Sequence, residues 1–244
     1  MNNDHLVLIS GKASSGKSAS LMFMDKPEGV LYLNCENGKK LPFKSKFQEY
    51  KIVDPPQVYE AFKEAEKNDK IKNVHTIVID SLTYLMDMYE SVKVLNSTNT
   101  MQAWGQYAQY MKVLMSQIVA QSTKNVIFLA HTSDILNEAE MVNETMVKVK
   151  GSLMNQGIES FFTNVISTKK VALSKLDDKV AKSPLYTINP EEKALGFKYV
   201  FQTRLTKDTV NERMRSPRGM WDIKETYIDN NLQHVINRLQ EYYK

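Results

Sequence analysis

Residues Gly11 to Ser18 read Gly-Lys-Ala-Ser-Ser-Gly-Lys-Ser: two glycines separated by four residues, then a lysine and a hydroxyl residue. A loop of this pattern cradles phosphate. Successive backbone N–H groups from Gly11, Lys12, Ala13, Ser14, Ser15 and Gly16 point at the anion, and the glycines take conformations that a side chain would obstruct. Lys17 reaches the β- and γ-phosphates, and Ser18 offers its hydroxyl to Mg²⁺. The pattern arises by chance in roughly one chain of this length in a hundred. It is therefore read as a site for ATP and Mg²⁺ rather than as a glycine-containing turn.

Three further residues have the chemistry such a site needs. Asp80 closes the apolar run Thr-Ile-Val-Ile-Asp, where a carboxylate can hold Mg²⁺ through water; its other use is to cap the following helix. Glu36 ends Leu-Tyr-Leu-Asn-Cys-Glu and can orient or deprotonate the attacking water, or else salt-bridge a surface loop. His131, at the end of Asn-Val-Ile-Phe-Leu-Ala-His, can donate to the γ-phosphate or simply be satisfied within the structure. The other histidines have no metal-ligand spacing with one another or with Cys35, and no zinc is expected. A single lysine leaves the phosphates short of positive charge. The basic run Arg204 to Arg218 is the candidate source of a second cation from a neighbouring subunit, with Lys207 and Arg213 as its catalytic groups. The same run could instead touch a nucleic-acid backbone or be a solvated loop.

The elements that must position these groups can be read from apolar runs and periodicity. Strands are predicted over 5–10, 29–34, 51–53, 74–80 and 125–131, each β-branched or continuously apolar. Helices are predicted over 19–24, 56–68, 81–94 and 101–121, with a polar break at 96–100. The alternation implies an α/β fold: a mostly parallel sheet flanked by helices, with ligands at the carboxyl ends of its strands. Ser10, Asn34 to Glu36, Asp80 and His131 all fall at such ends. Residues 132–150 show no clean period. Residues 161–171 and 197–204 read as strands of an antiparallel C-terminal extension, 173–196 as a polar surface excursion, and 230–243 as a closing helix. Trp104, Tyr107 and Tyr110 suggest a base-stacking platform. Helical spacing turns Trp104 to the core and leaves the two tyrosines open.

Composition narrows the class without naming the chemistry. The 244 residues suit one sizeable domain, 1–244, and 42% hydrophobic with 25% charged content is ordinary for a globular protein. No signal peptide or bilayer-spanning run is visible, so no membrane partner is expected. The single cysteine, Cys35, sits in an apolar strand, where a buried structural thiol in a reducing cytosol is expected. The net charge of +4 is too mild to argue for or against nucleic acid.

With the phosphate loop, Asn-Cys-Glu36, Ile-Asp80-Ser81 and Leu-Ala-His131 in this order, the chain resembles the core of RecA-like ATPases. It most resembles the small phage RecA-like proteins that anneal single-stranded DNA. The Thr-Lys207 to Ser-Pro217 stretch carries the likeness to the phage group. The resemblance implies an ATP-hydrolysing, DNA-stimulated recombination protein in the host cytoplasm. It would act as a homo-oligomer with its active site between subunits, and a single-strand-binding protein is a possible partner. It also implies DNA contacts from the segment after His131, with Lys148, Lys150 and Gly151 as phosphate contacts, and a second loop near 93–100. The extra terminal domains that RecA itself uses for polymerisation and duplex capture are not expected here, so annealing or an accessory role is expected rather than full strand exchange. A helicase loader or motor, or a small-molecule kinase with residues 206–218 as its lid, would use the same loop.

Overall fold

The computed structural model describes residues 3–67, 71, 73–176 and 183–244. Its centre is a sheet of nine strands: β1 (Leu6–Gly11), β2 (Val30–Asn34), β3 (Gln48–Lys51), β4 (Thr76–Asp80), β5 (Asn125–Asn137), β6 (Val142–Val147), β7 (Asn164–Ala172), β8 (Phe197–Gln202) and β9 (Tyr227–Asp229). The order is β3-β2-β4-β5-β1-β7-β8-β9, with β6 paired to β5. From β3 to β7 every neighbour in this order is parallel; β8 and β9 add antiparallel strands. This is the α/β fold of a P-loop NTPase core with an antiparallel C-terminal extension.

Continuous apolar strands require cover on both faces, because successive side chains point to opposite sides. On one face Leu8, Leu33, Ile77 and Phe128 pack against α1 (Pro56–Lys67), α2 (Leu82–Tyr89) and α3 (Thr100–Val113) through Phe62, Leu85 and Met111. On the other, Val7, Ile9, Val78 and Ile127 pack against Leu21, Trp221, and Leu232 and Leu239 of the C-terminal helix (Leu232–Tyr242). The registers Gly11↔His131 and Asn34↔Asp80 align the carboxyl ends of these strands along one edge. Among the described residues no helix is long and apolar enough to cross a membrane.

Several local expectations differ from the structure. The segment after the phosphate loop is a 3₁₀ helix, Ser18–Phe23. The Ser20 hydroxyl donates to the Lys17 carbonyl at 2.6 Å, a local bond that competes with α-helical pairing. The third strand runs over Gln48–Lys51, earlier than 51–53: it is a polar edge strand, so hydrophobicity does not mark it. Residues 132–147 are ordered as a hairpin of β5 and β6, with pairs from Thr132↔Val147 to Asn137↔Val142. β7 is parallel to β1, so only β8 and β9 form the antiparallel part. Tyr107 and Tyr110 are buried, Tyr110 against Tyr59, and Trp104 is half-buried against Tyr107. These aromatics belong to the core and do not form a base-stacking platform. Of the polar excursion, residues 177–182 lie outside the described residues.

Candidate active site

The phosphate loop is braced from two sides. Gly16 has φ +98°, and a Cβ there would stand 2.7 Å from Asn230 Nδ2; one on Gly11 would meet Ser15 Oγ at 2.5 Å. Asn230 Nδ2 donates to the Gly16 carbonyl at 2.8 Å, and Thr168 Oγ1 donates to the Ser15 carbonyl at 2.7 Å. Asn230 follows β9 and Thr168 lies on β7, so both the parallel sheet and its C-terminal extension brace the loop. Replacing Asn230 by Ala removes the part-buried bond to Gly16, worth about 1 kcal/mol, together with a longer one accepted from Thr168 Oγ1 at 3.3 Å. Nucleotide affinity measured by calorimetry should fall about fivefold, although Asn230 lines no part of the cleft.

The cleft itself, about 320 Å³, is lined by the loop residues Ser14 to Ala19 together with Glu36, Asp80 and His131. Lys17 is buried and its Nζ donates to the carbonyls of Gly11 (3.0 Å) and Lys12 (2.8 Å). Burial lowers its pKa from the ordinary 10.5 to about 8, against the opposing pull of Asp80 and Glu36. Two opposite pH dependences follow in the ligand-free protein. The unfolded chain binds more protons between pH 8 and 10.5, so stability rises with pH across that window. Phosphate, in contrast, needs the ammonium form. Apparent nucleotide affinity should therefore fall by about tenfold per pH unit above 8. Thermal melts and nucleotide titrations over the same pH series check both signs.

Asp80 and Ser18 form one wall of the cleft. The Ser18 hydroxyl donates to Asp80 Oδ2 at 2.7 Å and the Tyr32 hydroxyl donates to the same oxygen at 2.8 Å. Asp80 Oδ1 is buried with no hydrogen-bond partner. Burial raises the Asp80 pKa, partly offset by the Ser18 bond. An orphaned carboxylate oxygen beside a loop hydroxyl is a donor set that fits Mg²⁺, a cation that takes oxygen ligands and keeps several waters. The Asp80–Ser81 peptide is cis.

Glu36 stands across the cleft, 9% exposed. His131 Nε2 lies 3.4 Å from its Oε1, and Lys39 Nζ is 3.0 Å from its Oε2. The His131 bond and then Lys39 hold the carboxyl down to about 2 against burial, so Glu36 is ionised throughout the physiological range. The His131 main chain is fixed at both ends: its N–H donates to Thr83 Oγ1 at 2.9 Å, and its carbonyl accepts from Lys148 N–H at 2.8 Å. Lys39, Tyr32, Thr168 and Asn230 are site residues that sequence reasoning missed. Only Lys39 had a signal, its position three residues after Glu36 in a turn.

The structure thus brings Lys17, Ser18, Glu36, Asp80 and His131 together. It leaves the other candidates apart from the cleft. Lys207 is exposed on the loop after β8. Arg213 is bound to Glu144 of β6 at 3.1 Å. Lys150 is held by Asp87 (2.8 Å) and Glu90, and Gly151, at φ +58°, packs against Trp104. Lys148 is exposed. Cys35 is 1% exposed, and burial raises its thiol pKa, as suits a structural thiol.

This geometry has a counterpart among known families. The profile of a family described as AAA domain matches residues 4–192, and the chain belongs to that family. It is a P-loop ATPase of the AAA type, and the matched segment holds Lys17, Ser18, Glu36, Asp80 and His131 but ends before Lys207 and Arg213. No curated protein matches the chain.

Proposed function

We propose that the protein is a DNA-stimulated, Mg-dependent ATPase that binds single-stranded DNA and promotes annealing or recombination as an oligomer, in the manner of the phage RecA-like annealing proteins. The observation that carries this reading is the placement of Glu36, Asp80 and His131 around the phosphate loop, with His131 also holding the base of the β5–β6 hairpin through Lys148. When bound, Mg²⁺ would neutralise phosphate charge between Ser18 and Asp80. Lys17 leaves its two loop carbonyls for the phosphates, and Glu36, ionised in the resting cleft, orients the attacking water and takes its proton as the water attacks phosphorus.

Coupling to the hairpin has two supports. His131 bridges Glu36 and Lys148, and Lys12 of the loop pairs with Asp134 of β5 at 2.6 Å. A change in the phosphates therefore bears on the base of the hairpin, where Asp134 pairs with Thr145 and His131 meets Lys148. Lys39 supplies a cation within the subunit. Lys207, which has no ion pair among the described residues, is the side chain free to reach a neighbour's cleft, whereas Arg213 must first leave Glu144. A kinase lid over residues 206–218 is disfavoured, because backbone bonds tie this stretch to Thr145 of β6 and Val165 of β7.

ATP hydrolysis with and without a single-stranded oligonucleotide, run beside annealing of complementary strands, tests the reading. Stimulated hydrolysis and faster annealing are expected. DNA-independent turnover with no annealing overturns it.

A further inference from the structure

The chain leaving β8 loops out to β6 and returns at Arg215, whose main chain pairs with Val165 of β7. The two ends of this excursion enclose a pocket of about 390 Å³. Arg204, Arg215 and Arg218 all line it, and no acidic side chain does. Arg204 Nη1 donates to the Trp221 carbonyl at 2.7 Å and Arg215 Nη1 to the Phe162 carbonyl at 3.4 Å, so two of the guanidinium groups are anchored by neutral acceptors. Among the described residues the arginine ion pairs are those of Arg213 and Arg238, and the Arg218 side chain has no partner. Lys150, by contrast, is already neutralised by Asp87 and Glu90.

From this juxtaposition we infer that the Arg204–Arg215–Arg218 pocket binds the phosphodiester backbone of a single-stranded nucleic acid; the inference rests on the DNA-linked reading above. Three arginines lining one pocket with no carboxylate among its lining residues suit bidentate contacts to phosphate oxygens. Their positive field is not cancelled locally, and binding through them releases counterions. Leu205, 45% exposed on the rim, offers an apolar face to an unstacked base, which a duplex would leave in water. The pocket also has a short path to the nucleotide. Val165, paired with Arg215, lies three residues before Thr168, which bonds the phosphate loop.

Fluorescence anisotropy of a labelled oligo(dT) strand, titrated with the full chain across a salt series, tests this. Arg218→Glu should weaken binding by about tenfold or more and lower the slope of log affinity against log salt by about one, with DNA-independent ATP hydrolysis unchanged. Lys148→Glu on the hairpin should have the smaller effect. Arg218→Lys should restore the salt slope and only part of the affinity, since lysine keeps the charge and loses the bidentate fork. Wild-type affinity and salt slope in Arg218→Glu would overturn the pocket and leave the DNA reading standing, as would loss of binding in Lys148→Glu alone. Failure of the wild-type chain to bind the strand, with or without ATP, would overturn both.

Discussion

Lys17→Ala is expected to lower ATP turnover by about 100- to 1000-fold, the usual loss when a preorganised donor to developing phosphate charge is removed. The structure explains why so much depends on one side chain. Lys17 is the only lysine of the cleft that is buried among the loop carbonyls; Lys39 and Lys40 approach from the opposite rim, and Lys39 is engaged with Glu36. In a partly dehydrated site a cation acts on phosphate far more strongly than a solvated surface lysine can. The same burial makes the native lysine a poor contributor to stability, since its charged form is disfavoured enough to bring its pKa to about 8. The variant should therefore melt at or above the wild-type temperature without nucleotide, while losing the stabilisation that nucleotide confers. Melting curves with and without MgATP, beside steady-state hydrolysis, check the pair. Normal turnover would remove Lys17 from the site; a large fall in the ligand-free melting temperature would show that its role is structural.

Glu36→Gln should keep nucleotide binding within a few-fold and lower turnover by about 10²- to 10⁴-fold, the range for loss of a positioned general base. The amide preserves shape and can still accept from Lys39, so the fold around the cleft should survive. What it loses is the charge and basicity that orient and deprotonate water. Because Glu36 is held down to about 2, the wild-type rate should show no acid limb from this group above pH 4. Single-turnover hydrolysis with a separate binding measurement distinguishes chemistry from affinity. Unchanged hydrolysis in Glu36→Gln would remove the assignment.

Much of the site was legible because its parts fall at ends of strongly apolar strands. The motif at 11–18, the acids at 36 and 80, and the histidine at 131 each follow a run whose periodicity leaves little choice of element. Parallel pairing then carries them to one edge, since β1, β2, β4 and β5 all point the same way. Less legible were elements stabilised by partners rather than by their own pattern. β3 is polar and borders the sheet. The β5–β6 hairpin is largely exposed, and its turn is held by Asn137, which accepts from Ala139 N–H and Glu140 N–H.

The sequence by itself determined the phosphate loop, the class of fold and the five groups that meet in the cleft, because local motif and hydrophobic period specify strands, their ends and what those ends carry. Tertiary structure alone decided which charges remain available. Lys150 and Arg213 are basic residues in the sequence, but each is neutralised by a carboxylate distant along the chain, Glu90 and Glu144 respectively. Arg204, Arg215 and Arg218 are clustered by the return of the chain to β7, with no acid lining the pocket. It likewise placed Asn230 against Gly16, more than two hundred residues earlier. Pairing of charges and bracing of a loop depend on distances in space, which spacing along the chain does not encode.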